Sequence, residues 1–378
     1  MSKNKSNKNL KVENTKQFLD FKKITFSSWL LVFSSFCLLI FLIWQAFLPF
    51  KAEIKFKSSA LFISRAKWQT SKITQYPKAE QEQVKEYVLN LYRYAITDLQ
   101  KAVAYAPWEV KYYVELGKAY QRYFEAIEDP AQKLAALKNA ETMYQQASKL
   151  DPKNPWNYER LGSVYHSYYE LVSLEQKKPF LKLAKDYFYK AAQAGPFNPL
   201  FQLNYAYFLQ TNNFSDEAIQ YYEKTVSYDG RILEARYNLA AIYTKTGALD
   251  KSLAQYLAIQ KTDPDYRNIN FYIGYIYYAQ KKYEQAATYF RAGLQNHPNN
   301  TKILHNYLLS LYHLGKWTEL IKLHEQRLNN TSYYKAYITQ YLDALIKAGE
   351  KQKAFKVAQT AIVKYPQLKK NINKLLGL

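Results

Sequence analysis

Apolar positions along this chain fall into two regimes. The first is a continuous run, Ile24 to Leu48, 25 residues without a formal charge. At 1.5 Å per residue it is long enough to cross the roughly 30 Å hydrocarbon layer of a membrane. The second regime begins near Lys78, where apolar residues recur three and four apart in paired segments, as amphipathic helices joined into hairpins require. A fixed beat punctuates the pairs: Pro196, Gly230, Pro264, Pro298, Ser332 and Pro366 fall 34 residues apart. A period in this range predicts stacked two-helix units, each burying its apolar face against its neighbours. The predicted class is all-α.

Two small positions recur inside that beat. Gly117, Gly162, Ala206, Ala240 and Gly274 lie mid-way along the first helix of a pair (helix A), and Ala140, Ala184, Ala218, Ser252, Ala286 and Ala354 lie on the second, helix B. Small residues on both let two antiparallel helices approach closely. Tyr120, Tyr165, Tyr243 and Tyr277 on helix A, with Tyr144, Phe188, Tyr222, Tyr256 and Phe290 on helix B, are expected to fill the space between neighbouring hairpins. Asn213, Gly247, Gly315 and Gly349 stand at the hairpin turn, where a left-handed residue ends a helix.

This pattern, clearest from Leu233-Glu234-Ala235 through Tyr243, Gly247 and Tyr256 to Pro264, resembles the tetratricopeptide repeat (TPR). The resemblance implies a TPR solenoid of about seven helix-turn-helix repeats from Glu109 to Pro366, within a repeat region spanning 78–366 and closed by a capping helix at 367–378. Two departures carry expectations. The steps from Pro107 to Pro152 and from Pro152 to Pro196 are 45 and 44 residues, which predicts taller hairpins with both helices lengthened. Repeat six, with Leu308, Leu320, His324, Arg327 and Ser332, fits the family poorly and is expected to pack loosely or present a distinct surface.

Ahead of the repeats, residues 1–23 carry seven lysines against Glu13 and Asp20 and read as a solvated basic tail. The apolar run at 24–48 reads as one transmembrane helix, with Trp29 and Trp44 near its ends and Pro49 and Lys51 closing it. No alternating small residues follow that would mark a cleaved signal, so the run is expected to be an uncleaved, single-pass anchor. The lysine excess before it orients the N-terminus to the cytoplasm and the repeats to the extracytoplasmic side, periplasmic or cell-surface. Residues 49–77 form a connector in which Leu61, Phe62, Ile63 and Trp68 stand among basic residues. It reads equally as a helix along the membrane surface or as a first helix packed on the next.

The formal charge of +22 is spread over the tail, the connector and the repeats. Such a field favours polyanions. Nucleic acid is the weakest of these partners, because no compact basic helix with base-reading residues stands out. The single cysteine, Cys37, lies in the apolar run. No phosphate-cradling glycine loop, nucleophile elbow or Cys-His pair outside the membrane occurs, so neither an enzyme nor a cofactor is expected. His166, His297, His305, His313 and His324 read as dispersed surface histidines; His305 and His313, eight apart, are a weak metal spacing.

What remains is a binding surface. In the TPR family helix A lines a concave groove. The resemblance assigns to it Lys111, Glu115, Lys118 and Arg122 at a basic, membrane-proximal end, then Trp156, Arg160, Asn204, Tyr207, Tyr237, Asn238, Phe271, Tyr272, Tyr275, Tyr278, His305 and Asn306. Val114 with Lys118, and Glu159 with Ser163, break the Lys/Asn pair by which some members clamp a terminal carboxylate, so no such clamp is expected. The rings are expected to take apolar side chains of an extended segment and the Asn amides its backbone groups.

The expected function is a membrane-anchored, non-enzymatic scaffold for protein partners. The alternative is an accessory factor in cell-surface polysaccharide or envelope assembly, binding acidic glycan or a glycan-pathway enzyme. That alternative draws on the stretch from Tyr113-Leu116-Gly117-Tyr120 to Ala147-Pro152, which looks like the repeat regions trailing some bacterial O-antigen ligases and polysaccharide polymerases.

Overall fold

A computed structural model describes residues 26–327 and 331–377, so the basic tail at 1–23 lies outside the described residues. Every regular element among them is helical. The chain divides into two compact units, one ending at Pro152 and one beginning at Lys153.

The first unit holds α1 (Phe26–Lys72), α2 (Lys78–Tyr105), α3 (Val110–Ala126) and α4 (Pro130–Leu150). The 47-residue α1 corrects one expectation: Pro49 does not close the apolar run but lies inside a continuous helix. Proline removes one backbone hydrogen bond, to the Gln45 carbonyl, and local propensity favours a stop there. Packing overrides it, because Ala52, just past the proline, is fully buried in a cluster with Ala102, Ala106 and Tyr112. Further along, Ala66 packs with Val88, Leu91 and Tyr92. Lys55 pairs with Asp98 at 3.0 Å. Of the two connector readings, this inner face follows the first helix packed on the next. Among the described residues, α1 is the one helix long and apolar enough to cross a membrane, and its side chains from Trp29 to Trp44 are exposed.

The second unit holds α5 (Pro155–Leu171), α6 (Lys177–Ala194), α7 (Pro199–Thr211), α8 (Ser215–Tyr228), α9 (Leu233–Lys245), α10 (Leu249–Thr262), α11 (Ile269–Ala279), α12 (Tyr283–Asn296), α13 (Thr301–His313), α14 (Trp317–Glu325), α15 (Thr331–Lys347), α16 (Lys351–Lys364) and α17 (Lys369–Leu376). Sequence sets the helix starts: Asn154 and Asn198 accept from the amides of Trp156 and Leu200, each followed by Pro at the first helical position. The turns are equally explicit. Asn213, Gly247, Gly315 and Gly349 all have positive φ, and so does Lys281, at the same 34-residue offset. Each is followed by an amide bonded back across the turn, as from Ala248 to the Tyr243 carbonyl, which closes the helix end.

The longer spacings lengthen helices as expected. α3 and α4 have 17 and 21 residues and α5 and α6 have 17 and 18, against 13 and 14 for α7 and α8. Three other expectations change. The helix B rings sit inside their own hairpins, over the small residue of helix A: a β-carbon on Gly117 would lie 2.5 Å from the Tyr144 ring, and one on Gly162 2.9 Å from Phe188. Repeat six does not pack loosely, since Leu304, Leu308, Leu311, Leu320 and Ile321 are buried in one cluster with the repeats on either side. Ser332, placed on the beat as a helix-ending residue, lies in the first turn of α15.

Candidate functional site

The helix A position that holds Tyr207 recurs at Ala241 and Tyr275, and its neighbours bring together the most cohesive part of the expected groove. Ala241 and Thr244 of α9, Tyr256 of α10 and Phe271, Tyr272 and Tyr275 of α11 line a cavity of about 280 Å³. Its walls are ring faces and methyl groups. Tyr272 stacks on Tyr256 with centroids 5.4 Å apart and meets the edge of Tyr237 at 5.2 Å. Phe271 leans on Phe290 at 6.0 Å. Such contacts fix ring positions before any ligand arrives. Burial pushes the Tyr256 phenol up to about 12, with a hydrogen bond to Thr244 opposing it. Tyr275 stays 43% exposed and Tyr207 55%.

Arg267 and Tyr266 join this region unforeseen by the sequence. The Arg267 guanidinium lies 5.0 Å from the Tyr237 ring and 5.3 Å from Tyr266, and 3.8 Å from Glu234. Arg267 and Asn268 are consecutive left-handed residues, a backbone that nothing but the Asn would announce.

The asparagines are not where the groove reading put them. Asn238 is buried beside the Tyr222 hydroxyl. The Asn306 amide donates to the Lys302 carbonyl of its own helix at 2.8 Å, and that of Asn204 reaches Glu159 at 3.5 Å. Burial raises the Glu159 carboxyl, opposed by Arg160. Each of these amides thus has one bond within the fold, and none of the three lines the ring-walled cavity.

The remaining site residues are scattered. Trp156 packs edge-on against Phe201 at 4.7 Å, with Arg160 over its ring at 6.0 Å. Tyr278 bonds His313 Nε2 at 3.0 Å, and exposed His305 approaches the Tyr337 hydroxyl at 3.4 Å. In the first unit, Lys111 is bound to Glu53 of α1 at 3.0 Å and Lys118 to Glu115 at 2.6 Å. These cations are therefore partly neutralised within the fold. His324, read as a surface residue, is fully buried, with Nδ1 2.7 Å from the Tyr333 hydroxyl and Nε2 without a partner. Among the described residues no group of three or more His, Cys, Asp and Glu side chains gathers as a metal site would require.

Residues 206–267 and 268–300 match the tetratricopeptide repeat family, the stretch that contains this cavity. The chain is an all-α protein carrying TPR hairpins, a fold that generally mediates protein–protein interactions. Hsp70-Hsp90 organizing protein 1 of Glycine max is 30% identical over 88 residues, which is 23% of this chain and spans only 15% of that relative. Among solved structures, YrrB, described as a TPR protein with an unusual peptide-binding site, aligns at 22% identity with a TM-score of 0.42, covering 55% of this chain and 96% of that one. The pilF protein of Pseudomonas aeruginosa aligns at 16% identity and a TM-score of 0.41, covering 61% and 97%.

Proposed function

We propose that this protein is a membrane-anchored, non-enzymatic scaffold that holds a protein partner on the helix A face of its second unit. The observation that carries the reading is the ring-walled cavity at Phe271, Tyr272 and Tyr275, open at Tyr275. It has the size and chemistry for one or two apolar side chains of a partner segment, and its pre-packed rings lower the ordering cost of binding. The glycan alternative draws less support there, since sugar hydroxyls need convergent polar groups beside the rings, whereas this wall is almost wholly apolar and Asn204, Asn238 and Asn306 do not line it.

Anchoring is the second part of the proposal. The exposed apolar half of α1 supports it, and the lysines of the tail favour a cytoplasmic N-terminus with the repeats outside. Affinity purification of the full chain from solubilised membranes tests the scaffold reading. A stoichiometric protein that is lost with Phe271→Ala and Tyr275→Ala together is the expected result; no such protein, or one retained by the double variant, argues against it.

A further inference from the structure

α1 carries two stripes at heptad spacing. The inner one, Ala52, Ser59 and Ala66, is buried on the face that packs with α2. The outer one, Ile54, Leu61 and Trp68, repeats every seven residues too, yet these side chains are 50, 73 and 51% exposed. The outer face of a hairpin helix is ordinarily polar. Scattered exposed apolar residues need no explanation, but this spacing sets three of them on one seam about 20 Å long at 1.5 Å per residue.

The borders of the seam have one sign. Lys51, Lys57 and Arg65 flank it, and the only carboxylate between Ile24 and Ala79 is Glu53. Glu53 is bound to Lys111 at 3.0 Å and lies 4.0 Å from Lys57. Lys72 caps the end, 4.3 Å over the Trp68 ring. A cationic border around apolar heptads complements a helix whose own heptads are bordered by Asp and Glu.

Two other occupants fit less well. A second copy laid parallel on the same seam would bring lysine borders together. A lipid surface is out of reach if the apolar half of α1 spans the bilayer, because Leu61 and Trp68 then stand about 20 and 30 Å further along the helix than Leu48. We infer that the outer face of α1 is a docking strip for an acidic amphipathic helix of a partner protein. The strip is separate from the ring-walled cavity, and only its distance from the bilayer rests on the anchoring proposal.

The test uses the full chain in neutral-lipid nanodiscs, titrated with a fluorescent three-heptad peptide carrying Leu at a and d and Glu at e and g. Saturable binding is expected. It should weaken about tenfold or more in Leu61→Ala with Trp68→Ala, and equally in Lys57→Glu with Arg65→Glu. Binding should be unchanged in Phe271→Ala with Tyr275→Ala, which separates this strip from the cavity. Because Lys57, Leu61, Arg65 and Trp68 are exposed, matching thermal unfolding should confirm that the strip variants fold. Absence of saturable binding, or binding indifferent to both pairs, overturns the proposal. A fluorophore at Ser64→Cys, exposed at the edge of the seam, in a Cys37→Ser chain provides the second measurement. Quenching by spin-labelled lipid headgroups, or self-quenching between copies, would give the strip to the membrane or to a second chain and overturn it; an environment shift only on adding the peptide supports it.

Discussion

Phe290 of α12 fills the space that a side chain on Gly274 of α11 would need: an added β-carbon would stand 2.9 Å from the ring. Phe290 in turn supports Phe271, a wall of the cavity. The glycine thus links the packing of a hairpin to the geometry of the site. Gly274→Ala should destabilise the protein by about 1–3 kcal/mol through overpacking. Equilibrium urea unfolding measures this. A change under about 0.5 kcal/mol would mean the ring yields freely.

A second prediction concerns the turns. Lys281 adopts φ 60° where Asn213, Gly247, Gly315 and Gly349 stand in other repeats. A left-handed conformation costs a residue with a β-carbon roughly 1–2 kcal/mol, partly offset by the greater freedom of glycine in the unfolded chain. Lys281→Gly should therefore stabilise by about 0.5–1 kcal/mol. Thermal unfolding checks it; a lower Tm would contradict the turn assignment.

His324 supplies a pH dependence. Burial, with a smaller contribution from Arg327, lowers its pKa to about 4. The unfolded chain takes up a proton near the ordinary histidine value of about 6.5, while the folded chain does not until well below it. Stability from the neutral form is present above that value and is lost as pH falls toward 4. Between pH 7.5 and pH 5 the loss from this group is about 2 kcal/mol. Comparing urea midpoints of the parent and His324→Phe at both pH values isolates it. Equal pH sensitivity in both would contradict it.

The parts of the fold that were legible are those that neighbouring residues decide. The 34-residue beat, the left-handed turns and the lengthened helices in the long repeats all follow from positions close along the chain. What was missed depends on partners distant in sequence. Pro49 signalled a helix end, but Ala52 is held by Ala102 and Tyr112. Asn238 shares the periodic register of groove residues, yet a register names a helix and not which neighbour its side chain meets, and here that neighbour is Tyr222. Lys281 shares the 34-residue offset of the other turns, but its residue type does not announce a left-handed conformation. At the site, Phe271, Tyr272 and Tyr275 were named from the resemblance, whereas Arg267 was hidden in a backbone conformation that its residue type rarely adopts.

The most direct test of the scaffold is photocrosslinking in cells from Tyr275, replaced by a photoreactive residue, with adducts identified by mass spectrometry. Tyr228 of α8 lines no part of the cavity and serves as the control. One dominant protein adduct is expected from position 275, absent from position 228 and lost when Phe271→Ala opens the wall. No protein adduct from 275, or the same adduct from 228, would contradict it.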